Sequence, residues 1–520
     1  MGHARTLSMS LTGLEGTLVE VEADVAPGLP AFHLVGLPDS STLQARERVR
    51  AAAAHVGCAL APRRLTVNLI PAWRPKHGTG FDLAIALAVL AAQGALPGAG
   101  PGGGLDSTLL LGELGLDGRL RPVPGVLPAL IAARAQGIAR AVVPAANLAE
   151  ARLVEGLEAD AAEDLGELLH RFGADVPAGG SGPAALAPPP VDDDPSEDTP
   201  GPDGPDFADV IGQRQARRAA EVAAAGGHHL LMVGPPGSGK TMIASRLPGI
   251  LPGLELEDAL TVSAIHSVAG HFDAARGLRR RPPFESPHHS ATPAAVVGGG
   301  AGIAGPGAIS RAHAGVLFLD EAPEFPARVL EALREPLETG DITLHRARGV
   351  ARYPARFQLV LAANPCPCGM AVGKGTDCTC TPLQRRRYLA RLSGPVKDRI
   401  DMRIEVPAVD VHAVGGATGE TSAAIAARVA TARDRQRRRF AGRSWALNAQ
   451  LPGPSLRGEF APEAGDRRLL DRAVETGRLT LRGHDRVLRL AWTIADLDGH
   501  ERPTAEHIGE ALTLREGDRP

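Results

Sequence analysis

The run Gly234-Pro235-Pro236-Gly237-Ser238-Gly239-Lys240-Thr241 follows four apolar residues, LLMV, and leads into the helix-forming MIASRL. Strand, glycine-rich turn and helix in that order are the setting in which a phosphate-binding loop works. Gly234, Gly237 and Gly239 let the backbone turn its N–H groups onto phosphate oxygens with no Cβ in the way. They do so at a helix N-terminus, whose dipole favours anions. Lys240 offers a flexible point charge to the β- and γ-phosphates, and Thr241 a hydroxyl to Mg²⁺. Residues 315–321, GVLFLDE, predict a buried parallel strand with two carboxylates at its C-terminal end, where ligands bind in open α/β sheets. Asp320 is expected to hold Mg²⁺ through water, and Glu321 to orient and deprotonate the attacking water. A third apolar run, FQLVLA (357–362), ends in Ala363-Asn364. The Asn364 amide is placed to position that water or sense the γ-phosphate; alone it would read as a strand-end cap. Together the three segments point to a nucleoside-triphosphate site with Mg²⁺ as the accompanying ion.

Four of the five cysteines form a second cluster, Cys366-Pro-Cys368 and Cys378-Thr-Cys380. Four thiolates are the right number for a closed tetrahedral zinc site, although CxC is tighter than the commoner CxxC. Gly369, Gly373 and Gly375 let the intervening loop fold back. A structural Zn²⁺ clip is favoured over a redox pair or four unligated thiols. Cys58 reads as a small core residue.

These groups need elements to carry them, and 520 residues allow two to four domains. The chain is 44% hydrophobic and 22% charged, as in ordinary globular proteins with sizeable cores. Lysine is scarce: Lys76, Lys240, Lys374 and Lys397 are the only four among 56 basic residues. The longest apolar stretch, near Ile85 to Ala92, is too short to span a bilayer. The N-terminus lacks the apolar core of a signal peptide, and the cysteine spacing does not suit a disulfide framework, so a cytoplasmic protein is expected. Residues 174–206 are rich in Pro, Gly and Ala and carry eight acidic residues and no basic ones, which predicts a linker. Without those eight charges the net charge of −3 becomes +5, so the folded parts are mildly basic. Ahead of the linker, 17–25 alternates as a strand and 45–54 reads as an amphipathic helix. Residues 65–69 predict a buried strand, and 81–92 an apolar helix.

GPPGSGKT, LFLDE and LAANP in this order resemble AAA+ ATPases. The longer strings FADVIGQRQARRAAEVAAAGGHHLLMVGPPGSGKT, SPHHSA, GVLFLDEAPEF, ARFQLVLAANPCPCG, SGPVKDRID and RVLRLAWTIADL closely resemble the magnesium-chelatase-like AAA+ ATPases of the YifB/ComM family. The resemblance implies an α/β fold. A Lon-protease-like (S5-like) α/β domain at 1–173 and the linker at 174–206 would precede an AAA+ P-loop core at 207–408. That core would carry the cysteine insert, with a helical lid at 409–520. Family members act as ATP-driven ring motors, and the competence branch is a branch-migration helicase in recombination of transforming DNA. The implied partners are therefore DNA, bound without sequence preference as branched or single strands, and further copies of the chain in a hexameric ring, with no membrane. By the same resemblance Arg399, in SGPVKDRID, is the arginine finger that reaches a neighbour's γ-phosphate; the plainer reading is a salt bridge to Asp398 or Asp401. Arg482 matches the lid arginine best, with Arg486 next. Where the family usually has arginine in ARTIADL, this chain has Trp492, which is expected to pack.

Residues 75–83, PKHGTGFDL, resemble the Lon peptidase string PKDGPSAG, but the nucleophile position falls on Gly80 and the lysine position on Leu127. Without a Ser–Lys dyad no peptidase chemistry is expected. Docking or ring organisation is, with residues 28–39 shaping the surface. Basic segments remain. Arg279 to Arg281, and Arg346, Arg348 and Arg352, fall on predicted loops and hairpins between 266 and 356, as a pore gripping phosphates would need. The helix from Arg428 to Arg443 carries seven arginines against Asp434. That density reads as a phosphate-backbone contact or as stems covering apolar surface. His288 and His289 lack a third metal ligand and read as loop histidines. A protein- or cofactor-remodelling ATPase is the alternative function, and the intact nucleotide motifs argue against a non-enzymatic scaffold.

Overall fold

The period-two alternation of the N-terminal segment becomes strand Glu15–Ala26, whose Val19, Val21, Ala23 and Val25 face inward. The computed structural model describes residues 2–99, 104–176, 205–274, 276–300, 304–346, 349–371, 377–392, 394–408 and 419–516. Seven strands form a mixed sheet in the order Ala31–Val35, Arg64–Ile70, Glu15–Ala26, Gly2–Thr12, Thr108–Leu110, Arg140–Pro144 and Glu158–Ala162. Helix Asp82–Ala92 is apolar on nearly every side because it lies buried across strand Gly2–Thr12. Its first residue, Asp82, is buried and paired with Arg48, whose Nε and Nη2 approach within 2.5 and 2.8 Å.

The second body is a five-stranded, wholly parallel sheet in the order Phe284–Glu285, Val316–Leu319, Gln358–Ala363, Leu230–Val233, Met402–Glu405. The three central strands are buried on both faces, which is why they read as unbroken apolar runs. Their register sets the site: Val233 stands opposite Ala363, and Leu319 opposite Leu361. The phosphate loop, Asp320 and Asn364 thus leave the sheet at one edge. Helices Ser422–Arg439, Leu481–Asp498 and Ala505–Glu516 form the C-terminal lid, joined to the sheet body by one apolar cluster. Trp492 packs there as expected, its indole N–H donating to the Phe460 carbonyl at 3.0 Å.

Several expectations need correction. Residues 177–204 of the linker lie outside the described residues, and its two ends belong to the bodies they join. Ala174 and Val176 are buried in the N-terminal core, while Asp206 caps a short helix and accepts the Ser422 N–H at 2.9 Å. The arginine-rich helix ends at Arg439, and most of its cations are spent inside the chain. Arg428 pairs with Glu221 and Glu420, Arg433 bonds the Ala224 carbonyl, and Arg439 pairs with buried Asp496 while lying 4.2 Å from the Trp492 ring centre. Arg428 and Arg433 thus fasten lid to core, and Arg439 joins two lid helices. Nor does the span between 266 and 356 open on a loop: its first stretch, IHSVAG (265–270), is largely helical. It ends helix Leu256–Val268, where Ala264 joins the N-terminal apolar cluster, the Ser267 carbonyl accepts the Gly125 N–H at 3.1 Å and the Ser267 hydroxyl bonds the Glu150 carboxylate.

Candidate active site

The phosphate loop keeps its shape through close approach. A Cβ on Gly234 would fall 2.2 Å from the Val406 carbonyl oxygen, so only glycine fits. Gly237 (φ +73°) and Gly239 (φ +90°) take left-handed backbone, and Gly239 caps helix Lys240–Arg246. Lys240 is nearly buried; its ammonium donates to the Gly234 and Pro235 carbonyls at 2.8 Å each and lies 3.4 Å from Asn364 Oδ1. Burial pushes this ammonium below its ordinary value, and Asp320 and Glu321 oppose the shift. Thr241 Oγ1 donates to Asp320 Oδ2 at 2.7 Å, and Asp320 Oδ1 accepts the Glu321 N–H at 2.8 Å. The hydroxyl and carboxylate expected to share a divalent cation are therefore already side by side. Ser238 is buried behind the loop, and Pro235 and Pro236 stiffen its outer turn. Glu321 is a non-glycine residue at φ +49°, which turns its carboxylate out of the sheet edge. Cation-sharing pair, ammonium, amide and second carboxylate fit a magnesium–triphosphate ligand as a set.

Arg399 lies on the same module but is held within the chain: it pairs with Glu338 of helix Arg334–Thr339, not with Asp398 or Asp401. Arg482 is 84% exposed at the start of helix Leu481–Asp498, 3.6 Å from Asp398. Arg486, the other candidate, is taken up structurally. It pairs with buried Asp401 and donates to the Arg399 carbonyl at 3.2 Å.

The cysteines converge. Cys366, Cys368 and Cys378 sulfurs lie 3.4 to 3.6 Å apart, and all four, Cys380 included, lie within 4.8 Å of one another. Sulfurs about 2.3 Å from a tetrahedral zinc would stand roughly 3.8 Å apart, so the set fits that ion. The Met370 N–H and the neighbouring Cys366 thiol pull the Cys368 thiol down to about 5. Lys374 and the glycines at 373 and 375 lie outside the described residues. The cluster also touches the nucleotide loop: a Cβ on Gly369 would fall 2.6 Å from Pro236 Cδ.

One neighbour was not legible beforehand. His289, read as a loop histidine, has Nδ1 3.1 Å from Glu321 Oε2. The signal lay in the two-residue strand Phe284–Glu285, which pairs in parallel with the carboxylate-bearing strand and so delivers the following loop to the same edge. In the N-terminal body, Leu127 is buried and Gly80 has open space around it, so neither peptidase position carries a reactive group. Lys76 is buried too, its ammonium bonded to the Pro71 carbonyl.

Comparison with known proteins agrees along the whole chain. The family described as magnesium chelatase, subunit ChlI, matches residues 206–414; its N-terminal and C-terminal companions match 21–147 and 419–515. An uncharacterized protein of Mycobacterium tuberculosis is 48% identical, covering 99% of each chain. YifB of Escherichia coli is 42% identical over 98% of this chain and 96% of its own, and competence protein ComM of Haemophilus influenzae 39% over 99% and 98%. The chain belongs to the magnesium-chelatase-like YifB/ComM family. For a YifB/ComM member, the five-stranded parallel sheet with its phosphate loop and helical lid is the AAA+ module. Among the described residues no helix is long and apolar enough to cross a membrane.

Proposed function

We propose that the chain is a Mg²⁺-dependent ATPase that works as a ring motor on DNA, moving branched or single-stranded substrates without reading their sequence. The convergence of Lys240, Thr241, Asp320, Glu321 and Asn364 at one sheet edge carries the ATPase part. Gly234 to Thr241 cradle the triphosphate, Thr241 and Asp320 hold Mg²⁺, Glu321 takes the proton from water, and Asn364 orients that water. When bound, the ion neutralises charge on the β- and γ-phosphates. Arg399 acts on the neighbouring subunit's nucleotide in a hexameric ring, and Arg482 closes from the lid. Arg482 is exposed beside Asp398, which supports a role from the lid, and Arg399 pairs with the exposed carboxylate of Glu338, a contact a neighbouring subunit could replace.

Two observations support DNA as the partner. One is similarity to a competence protein. The other is two neighbouring antiparallel strand pairs, Gly298–Gly299 with Gly305–Pro306 and Asp341–Arg346 with Gly349–Pro354, with exposed Arg346 and Arg352 on the second. The predicted Arg348 lies outside the described residues. The four cysteines hold structural Zn²⁺, supported by their spacing. The alternative, remodelling of a protein partner as in magnesium chelatase, draws on the family description itself. An assay on a four-way DNA junction separates the two: ATP-dependent branch movement, with binding that weakens steeply as salt rises, supports the motor reading. A protein that hydrolyses ATP but neither binds nor moves the junction at low salt speaks for remodelling.

A further inference from the structure

A cavity of about 330 Å³ lies on the seam between the parallel sheet and the lid. Alternation along strand Leu230–Val233 separates it from the nucleotide site. Leu230 and Met232 pack with Ile243 and Ala244 of the phosphate-loop helix, whereas Leu231 and Val233 face the other way and form one wall of the cavity. Leu389 and Leu392, at the end of helix Pro382–Ala390 and just beyond it, and Leu479 from the lid continue the apolar lining. The volume falls at the lower end of the range for small-molecule sites, about 300–1,000 Å³.

Charge around these walls is unbalanced. Lys397, Arg403, Arg478 and Arg515 line the cavity with two acids, Asp398 and Glu516, which leaves a surplus of two positive charges. Both acids are engaged, Glu516 by Arg478 at 2.5 Å and Asp398 by Arg482 at 3.6 Å. Arg515 donates to the carbonyls of Ile400 and Asp401, and the Lys397 ammonium to the Leu389 carbonyl at 2.6 Å. Among the described residues no carboxylate pairs with Lys397 or with Arg403 on edge strand Met402–Glu405. Desolvation, and then the Arg403 charge, hold Lys397 below its ordinary value, so an anion set between the two cations is stabilised by both.

We propose that this cavity binds a small phosphomonoester with an apolar body, its head between Lys397 and Arg403 and its body against Leu231, Val233 and Leu479. A surplus of two positive charges selects a phosphate head, which carries about −1.5 to −2 at neutral pH, over a singly charged sulfonate or carboxylate. No aromatic ring is among the described residues of the lining, so burial of apolar surface holds the body, not stacking. A ligand so placed touches the phosphate-loop strand, the lid and, through Asp398 and Ile400, the segment that carries Arg399. Because it bridges lid and core, its binding stabilises the folded chain.

Calorimetric titration of the full chain with 1-naphthyl phosphate, 1-naphthalenesulfonate and 1-naphthol varies the head charge on one apolar body. The phosphate should bind once per chain, raise Tm and bind about tenfold more tightly than the sulfonate, with the neutral naphthol weakest. Lys397→Gln and Arg403→Gln should each weaken the phosphate about tenfold and leave naphthol unchanged. Leu479→Trp, which fills the cavity, should abolish binding of all three. Lys240→Ala disables the phosphate loop and should leave binding unchanged, so the site stands or falls apart from the ATPase reading. No binding of 1-naphthyl phosphate, equal affinity for phosphate and sulfonate, or undiminished affinity in both glutamine variants overturns the proposal. So does loss of binding in Lys240→Ala, or one-for-one displacement by ATP, either of which places the compound in the nucleotide site.

Discussion

Gly369 is where the cysteine cluster meets the nucleotide loop, and Gly369→Ala is the substitution that isolates that contact. Its backbone lies at φ +78°, and the new methyl would fall 2.6 Å from Pro236 Cδ and 2.7 Å from Cγ. Ordinary contact begins near 3.4 Å, so ring or cluster must move by at least about 0.8 Å (3.4 − 2.6). Pro236 has no flexible side chain to swing aside, so the loop itself takes up the shift. Left-handed backbone costs a non-glycine residue about 1–2 kcal/mol. A displacement near 1 Å beside the reacting groups costs on the order of a hundredfold in rate. Gly442→Ala provides the control, since Gly442 has φ +77° and nothing within 4 Å of a Cβ. It carries the backbone strain without the collision. Both variants should lose about 1–2 kcal/mol in urea unfolding, but only Gly369→Ala should lose kcat, by about ten- to a hundredfold. Equal kcat in the two variants would refute the idea that the cluster braces the loop.

Other consequences follow from single contacts. Glu321→Gln should bind ATP with unchanged affinity and lose about 10²–10⁴ in turnover, measured by phosphate release. Metal analysis should return one zinc per chain, and Cys366→Ser, which removes the buried ligand, should lower both zinc content and Tm; well under one equivalent, with Tm indifferent to chelation, would discard the zinc site. Arg486→Ala leaves the Asp401 carboxylate buried without its guanidinium and should cost about 3–5 kcal/mol of stability. Burial pushes His229 and His313 down to about 4 and His266 to about 3. Held neutral when folded, these rings take up protons only on unfolding as pH drops through 6.5. Stability should therefore be full above pH 6.5 and fall by up to about 1.4 kcal/mol per pH unit per histidine toward pH 4, read by urea titration.

The nucleotide site was legible because its parts are contiguous and locally encoded. A four-residue buried strand, a loop needing glycine at Gly234 and Gly239, and carboxylates at a strand end are each visible in a short window. What was not legible depends on elements brought together from afar. Seven arginines between 428 and 443 look like a surface for phosphate until Glu221 and Asp496 arrive from other helices to pair with Arg428 and Arg439. Arg486 looked like a lid arginine because nothing in the linear string announces buried Asp401 as its partner. His289 was missed because a two-residue edge strand has too little periodicity to be read, though it sets where the following loop lands. The linker failed at its ends for a similar reason: Ala174 and Val176 look like tail residues until the N-terminal core covers them.

The central claim, a working ATPase coupled to DNA, is tested most directly by steady-state ATP turnover of the purified chain with and without branched DNA, beside Lys240→Ala. The account predicts Mg²⁺-dependent turnover that branched DNA accelerates, and its abolition when the ammonium between the loop carbonyls and Asn364 is removed. Turnover that survives Lys240→Ala, or that no DNA alters at low salt, would contradict it.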